Sequence, residues 1–325
     1  MNYTEICDMN INHTKKAFAP ASIGNVAVGF DMLGVALENI GDIVTAKRIK
    51  TKGIFIEEIV DIEGNPCSEL SKISTENTAS VSAKTLWSSV NEKGGAELVI
   101  HKGIPLQSGM GSSAASAVAG VVACNALLDN PLTTDRLLPF ALEGEKIASG
   151  SIHADNVAPS VYGGMVLCPY VLYPTVKKIE VPDDICSVLV HPDLLVNTKE
   201  SRNQLSSKYS MNQWLSQQGY LAGFLVGLNS NDKDLIKQSL KDVLIEPQRS
   251  SSVPCFEGVK QVAIESGALG CSLSGSGPSI FALCETSKAN DIREKMVRVC
   301  QSKELKCQSW ISSMNASGAR LVKIL

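Results

Sequence analysis

No C-x-x-C pair occurs in this chain of 325 residues, although it carries ten cysteines. They stand at Cys7, Cys67, Cys124, Cys168, Cys186, Cys255, Cys271, Cys284, Cys300 and Cys307, several of them inside apolar runs such as Phe281-Ala282-Leu283-Cys284. This scatter speaks against a zinc site or a disulfide framework and predicts reduced, buried thiols in a cytoplasmic protein. Histidine is scarcer still, and His13, His101, His153 and His191 are too dispersed for a metal cluster. A basic excess is also missing: 30 Lys and Arg against 33 Asp and Glu leave a formal net charge of -3. Nothing there suggests a nucleic-acid or membrane partner. Glu5 and Asp8 interrupt the N-terminus, so no signal peptide is expected. The uncharged stretch Gly103 to Leu128 is long enough to cross a bilayer. Its Gly, Ser, Pro, Gln and Ala content, with Asn125 inside, is too weakly apolar to drive insertion, and a buried helix packed through small residues is predicted instead.

The chain has enough apolar residues (44%) to bury a large core, and its length predicts two lobes. Hydrophobic spacing predicts strands at Ile43–Ile49, Ile54–Val60, Glu97–His101, Met165–Cys168 and Ile185–Val190. It predicts helices over Thr75–Asn91, Ser112–Leu128, Thr133–Ser149 and Asn212–Leu228, and another from about Lys288. The Pro/Tyr stretch Pro169–Pro174 is a candidate hinge, which sets an expected division into residues 1–170 and 171–325.

Residues 103 to 119 read GIPLQSGMGSSAASAVA, a Gly/Ser loop running straight into an alanine-rich helix. Glycines let backbone N–H groups approach an anion, and the helix start adds unpaired donors and the positive end of a dipole. Gly111-Ser112-Ser113 stands where a Walker loop has Gly-Lys-Ser/Thr, so no loop lysine is available to grip phosphate. A flexible linker or an ordinary helix cap is the plain alternative. A dinucleotide loop is a poor fit, because Gly109-Met110-Gly111 is followed by Ala114 rather than glycine and Asp129 is badly placed for a ribose.

Glu145 falls with Leu138, Ala141 and Ala148 on the apolar stripe of its helix. A carboxylate there must be paired, protonated or bound to a cation; Mg²⁺ shared with phosphate oxygens is one solution and an internal salt bridge the other. Asn25 and Asp31 sit six apart in a glycine-marked turn, either presenting polar groups or closing the turn itself. His153-Ala154-Asp155-Asn156 groups three hydrogen-bonding side chains, and Asn156 can also cap the next helix. Arg202, after Thr198, and Arg249 lie in turn-like segments; two arginines can clamp a small carboxylate, although most arginines are simply solvated.

Three blocks in order, Pro20–Asp31, Pro105–Ala115 and Gly267–Pro278, resemble the motifs of the GHMP small-molecule kinases. The middle block is the most specific. His153–Asn156, Thr198–Arg202 and Glu246–Arg249 look like the members of that family that act on homoserine. The resemblance implies an α+β, two-lobed fold: a nucleotide lobe with a left-handed βαβ unit, and a ferredoxin-like lobe whose last strand returns to the first. It implies transfer of the ATP γ-phosphoryl group to the side-chain hydroxyl of L-homoserine, a step of threonine biosynthesis, and leaves a homodimer open. By position, Pro105, Ser108, Gly109, Met110, Gly111, Ser112, Ser113, Ala114 and Ala115 would bind ATP, with Ser112 and Glu145 on Mg²⁺. Asn25, Asp31, Thr198, Arg202, Arg249 and Gly275 would bind the amino acid, and Asn156 with Asp155 would orient its hydroxyl. Gln107 and Ala27 occupy positions where the family often has glycine, so strain is expected if their φ is positive. Met110 replaces the usual Leu, and Ala154 the usual Pro.

Overall fold

The computed structural model describes residues 13–150 and 153–324; Glu5, Cys7 and Asp8 lie outside the described residues. Strands β1 (Thr14–Gly24) and β2 (Leu33–Ile49) form a long antiparallel pair. Its register slips between Pro20 and Ser22, where proline has no N–H to give the ladder. β3 (Gly53–Val60) and β4 (Gly95–His101) run parallel and are joined through α1 (Thr78–Ser89). Helices α2 (Ser112–Asn125), α3 (Leu138–Ser149) and α4 (Val157–Tyr162) follow, and then β5 (Met165–Leu167) and β6 (Lys177–Ile179).

β7 (Ile185–Pro192) opens the second sheet. After it come α5 (Thr198–Asn203), α6 (Met211–Ser230), α7 (Lys233–Ser239), α8 (Glu246–Arg249) and α9 (Phe256–Glu265). β8 (Gly270–Leu273), β9 (Ile280–Glu285), α10 (Ala289–Ser302), β10 (Cys307–Ser313) and β11 (Arg320–Val322) complete the order. The first sheet runs β11-β1-β2-β4-β3 with β5 and β6 beside β2; the second runs β10-β7-β9-β8, the ferredoxin-like order. β11 pairs antiparallel with β1, the expected return of the last strand. Strand pairing crosses the division expected at residue 170, since β6 and β11 both belong to the first sheet.

Every residue of α2 from Ala114 to Asn125 is buried. Alanine and glycine are needed because α1 lies so close: a side chain at Gly120 would come within 2.6 Å of the Ala79 carbonyl oxygen. Helix starts follow local chemistry more tightly than the spacing suggested. α1 begins at Thr78, where Asn77 accepts the Ala79 N–H, and not at Thr75. α3 begins at Leu138, not Thr133; Thr134–Arg136 forms a separate 3-10 turn, and Pro139 sits in the first helical turn, where its missing N–H costs nothing. α2 ends at Asn125, whose side chain bonds both N–H and C=O of Leu132. The described cysteines are free thiols, buried except for the half-buried Cys307. No helix among the described residues is long and apolar enough to cross a membrane.

Candidate active site

β4 delivers the chain to the glycine loop at the mouth of α2. Gly109 has φ 74°, and a side chain there would meet the Ser274 and Gly277 carbonyl oxygens at 2.5 and 2.6 Å, so only glycine fits. Gly109 O accepts from Ser274 Oγ (2.7 Å) and Met110 O from the Ser22 N–H (3.0 Å), which ties the loop carbonyls to the second lobe and to β1. The first helical bond of this turn runs from the Ala115 N–H to Gly111 O at 2.9 Å. The N–H groups of Ser112, Ser113 and Ala114 precede it and carry the positive end of a 14-residue helix. Gln107 has φ 52°, so the expected strain is present at that position.

A cavity of about 410 Å³ opens on this loop, within the usual range for a small-molecule site. Leu106–Gly109, Gly111–Ser113 and Ser116 form one wall, Glu145 and Ala148 another, and Thr198, Gly275 and Ser276 the far side. Ser108 Oγ is buried with no hydrogen-bond partner among the described residues, a donor that an incoming phosphate oxygen would satisfy. Pro105, Met110, Ala114 and Ala115 do not line the cavity. Met110, Ala114 and Ala115 are fully buried, their side chains packed in the core.

Glu145 reaches the cavity from α3 together with Ala148, which is exposed rather than part of the core stripe. Burial pushes its carboxyl up to about 7, against a hydrogen bond from Ser113 Oγ at 3.0 Å. The hydroxyl beside Glu145 is therefore that of Ser113; Ser112 Oγ turns to Ile104 O at 3.4 Å while still lining the cavity. The sequence also hid a lysine. Lys102, 5% exposed, lines the same cavity just beneath the start of α2. Its ammonium pairs with the fully buried Asp42 and donates to Ser116 Oγ (2.7 Å) and Ser112 O (3.1 Å), so all three of its protons are taken.

A smaller recess of about 60 Å³ adjoins the cavity and shares Glu145, Asn156, Thr198, Gly275 and Ser276 with it. Asn25, Asp31, His153, Asp155, Arg202 and Arg249 complete its lining. Four non-glycine residues at its edge have left-handed backbone: Asn25 (φ 69°), Val26 (44°), Ala27 (56°) and Asp31 (58°). Each such residue costs about 1–2 kcal/mol, most for a β-branched one like Val26. Packing and hydrogen bonds hold this path. Val26, Ala27 and Val28 are buried, Gln217 Nε2 donates to Val28 O (3.1 Å), and Asn25 Oδ1 accepts the Asp31 N–H (3.1 Å). Asn25 thus closes its own turn, and its Nδ2 also reaches Gly275 O at 3.1 Å.

Asp31 receives Arg202 bidentately (2.9 and 2.6 Å), with His153 Nδ1 at 3.3 Å. Arg249 donates to Gly275 O at 3.0 Å, while its buried Nε has no hydrogen-bond partner among the described residues. Burial, and then the charge of Arg202, lowers the Arg249 pKa. Both guanidinium carbons lie near the Phe30 ring, at 5.2 and 5.3 Å, and this cation–π contact helps hold two like charges together. Burial, and then Asp31, pushes the Asp155 carboxyl up to about 7. Burial lowers the His153 pKa, with Asp31 opposing. Asn156 makes no cap bond to α4; its Oδ1 accepts from Ser22 Oγ at 2.9 Å, which leaves the amide N–H₂ to donate. Thr198 Oγ1 lies 3.2 Å from Ser276 Oγ. Gly275 spends its N–H on Gly24 O and its C=O on Asn25 and Arg249, so it braces the recess and offers it no open polar group.

The chain thus brings Asn25, Asp31, Asp155, Asn156, Thr198, Arg202 and Arg249 together from distant segments. Ser22, Phe30, Asp42 and Lys102 were missed, because their roles arise only from contacts distant in sequence. Residues 77–164 match a family model for the GHMP kinases N terminal domain, and residues 224–302 one for the GHMP kinases C terminal region. The chain is 42% identical over 308 residues to a homoserine kinase of Xanthomonas campestris pv. campestris, covering 94% of each. It is 39% identical to one of Chlorobium phaeobacteroides, covering 95% of this chain and 99% of the relative. A crystal structure of homoserine kinase from Cytophaga hutchinsonii superposes with a TM-score of 0.90 at 40% identity, covering 99% of this chain and all of that one. The chain belongs to the GHMP kinase family, in its homoserine kinase branch.

Proposed function

We propose that the chain catalyses ATP-dependent phosphorylation of the side-chain hydroxyl of L-homoserine, giving O-phospho-L-homoserine, ADP and the proton released from the hydroxyl. The observation that carries this reading is the junction of two cavities at Asn156, Glu145 and Thr198. One has the form of an anion cradle; the other presents two arginines and an aspartate, the complement of a small zwitterion. The large cavity takes ATP, with its phosphates on the N–H groups of Ser112–Ala114 and its base toward the lining side chains Leu70 and Leu106. In the recess Arg202 and Arg249 receive the α-carboxylate, Asp31 and Asn25 the ammonium. Arg202 then exchanges the Asp31 carboxylate for the substrate's. We treat the protein as two lobes divided near residue 170, with β6 and β11 lent back to the first sheet.

Hard oxygen donors around the phosphate cradle, Glu145 with the Ser112 and Ser113 hydroxyls, fit Mg²⁺. Glu145 and Ser112 would hold it, and when bound it supplies neutralisation of charge on the phosphoryl oxygens. Transfer then depends mainly on alignment. Asn156, held by Ser22, donates its amide N–H to the acceptor hydroxyl and turns the oxygen lone pair toward the γ-phosphorus; Asp155 and Thr198 fix the position of that junction. The α2 N-terminus faces the phosphate charge from the other side. A coupled ADP-release assay with L-homoserine, mevalonate, galactose and no acceptor tests the reading. Turnover is expected with L-homoserine, and turnover with mevalonate or galactose in its place would overturn the assignment.

A further inference from the structure

Of the two recess arginines Arg249 is the more deeply buried, and α8 holds it there. That helix is a single turn with Pro247 at its start, and the Asp242 carboxylate accepts the N–H groups of Leu244, Ile245 and Glu246, each at 2.9 Å. One turn sets Glu246 and Arg249 on the same side, three positions apart. A cavity of about 10 Å³, the size of one water site, is lined by α8, by Ser272 and Leu273 of β8 and by the Asn25 turn. Asn25 is already spent on the Asp31 N–H and Gly275 O, and Asp242 on its three N–H groups. Glu246 Oε1 pairs with Lys260, and Ser272 lies against the same carboxylate. Two atoms remain. Arg249 Nε is a donor and Glu246 Oε2 an acceptor, both buried with no hydrogen-bond partner among the described residues. Their residues are 4% and 9% exposed, and both line the small cavity. A matched donor and acceptor left unmet in so dry a place call for a bridge.

We propose that this cavity binds one ordered water, which accepts the Arg249 Nε–H and donates to Glu246 Oε2, and that Glu246 is thereby a positioning residue for the acceptor's carboxylate. With Nε held from behind and one Nη1 proton on Gly275 O, the guanidinium keeps its other Nη protons for the recess. A direct bidentate pair with Glu246, of the kind Asp31 makes with Arg202, would occupy the fork that the substrate needs. One water orients Arg249 and leaves that fork open. The positioning role rests on the reading of the recess as the carboxylate site; the water site does not.

Two variants of the full chain test the role by calorimetric titration with L-homoserine and, separately, with ATP. Glu246→Met and Glu246→Gln both delete the Lys260 ion pair, so a purely structural role predicts equal losses. Glu246→Met should weaken L-homoserine binding about thirtyfold, the scale for stranding a buried donor. Glu246→Gln keeps a carbonyl oxygen for the water and should recover to within about threefold of the wild type. ATP affinity should stay within about threefold in both, since the nucleotide cradle lies apart from α8. Equal weakening in the two variants, or a parallel loss of ATP affinity, overturns the positioning role. A high-resolution crystal structure of the wild type decides the water without either variant. Density about 2.7–3.2 Å from both Arg249 Nε and Glu246 Oε2 is expected, and a direct contact between those atoms or a dry cavity overturns the site. A wild type that does not bind L-homoserine overturns the recess reading and the positioning role with it, while the water stands or falls on the crystal.

Discussion

The phosphate cradle and the acceptor recess meet at one junction but are built in opposite ways. The cradle is almost a single run of sequence, Gly103 to Ser116, made of backbone donors on a helix with a small-residue core behind it. The recess gathers one to three residues each from segments near 25–31, 153–156, 198–202, 249 and 275–276. Its loop is strained at Val26 and Ala27, and its charges are packed closely enough to shift one another. Backbone donors tolerate side-chain change as long as the helix stands, whereas a buried charge constellation loses its partner with every substitution. The expected asymmetry is that recess variants lose acceptor use with ATP binding spared, and cradle variants lose stability first.

The largest effect should fall on the arginines. Arg249→Met or Arg202→Ala is expected to lower kcat/KM for L-homoserine by about a thousandfold, the scale for removing one side of a desolvated charge pair, with KM for ATP within about threefold. Steady-state kinetics with each substrate varied in turn would show it, and a parallel loss of ATP affinity would erase the contrast. Asn156→Ala should come next, with kcat down about a hundredfold and ATP affinity intact; full turnover would remove its orienting role.

On the cradle side the expected loss is in stability. Lys102→Met leaves the Asp42 carboxylate buried and unpaired, which costs about 3–5 kcal/mol and lowers Tm by on the order of 10 °C. The double variant with Asp42→Asn should recover most of that in a thermal melt. If it does not, the pair is not what supports α2.

The smallest effect on stability links the two regions through Glu145. Burial raises its pKa from the ordinary 4.5 to about 7, so folding favours the protonated form. That stabilisation is full below about pH 4.5 and is lost as pH rises through 7. Glu145→Gln should therefore raise Tm by a few degrees above pH 7, with the gain vanishing below pH 4.5, while abolishing turnover.

The same contrast governs what could be read from the residues alone. The cradle was legible because anion binding at a helix start needs a local pattern, and that pattern, QSGMGSSAAS, lies in one stretch from Gln107 to Ser116. Glu145 was legible from helical period, as a carboxylate on an apolar stripe. The recess residues were nameable only by resemblance, since nothing in local sequence says that Arg202 and Arg249 flank one phenylalanine. Lys102 and Asp42 are 60 positions apart and look like surface charges until β2 and β4 pair and α2 covers them. Helix boundaries missed by a few residues where a cap or a proline, Asn77 and Pro139, overrode periodicity.

The central claim is that paired guanidiniums read the acidic end of the acceptor at the point where the two cavities join. A substrate-by-variant cycle measures it directly, comparing L-homoserine with 3-aminopropan-1-ol, which lacks only the carboxylate, in the wild type and in Arg249→Met. The account predicts that the wild type prefers L-homoserine by about a thousandfold in kcat/KM and that most of this preference disappears in the variant. A preference of the same size in both proteins would contradict it.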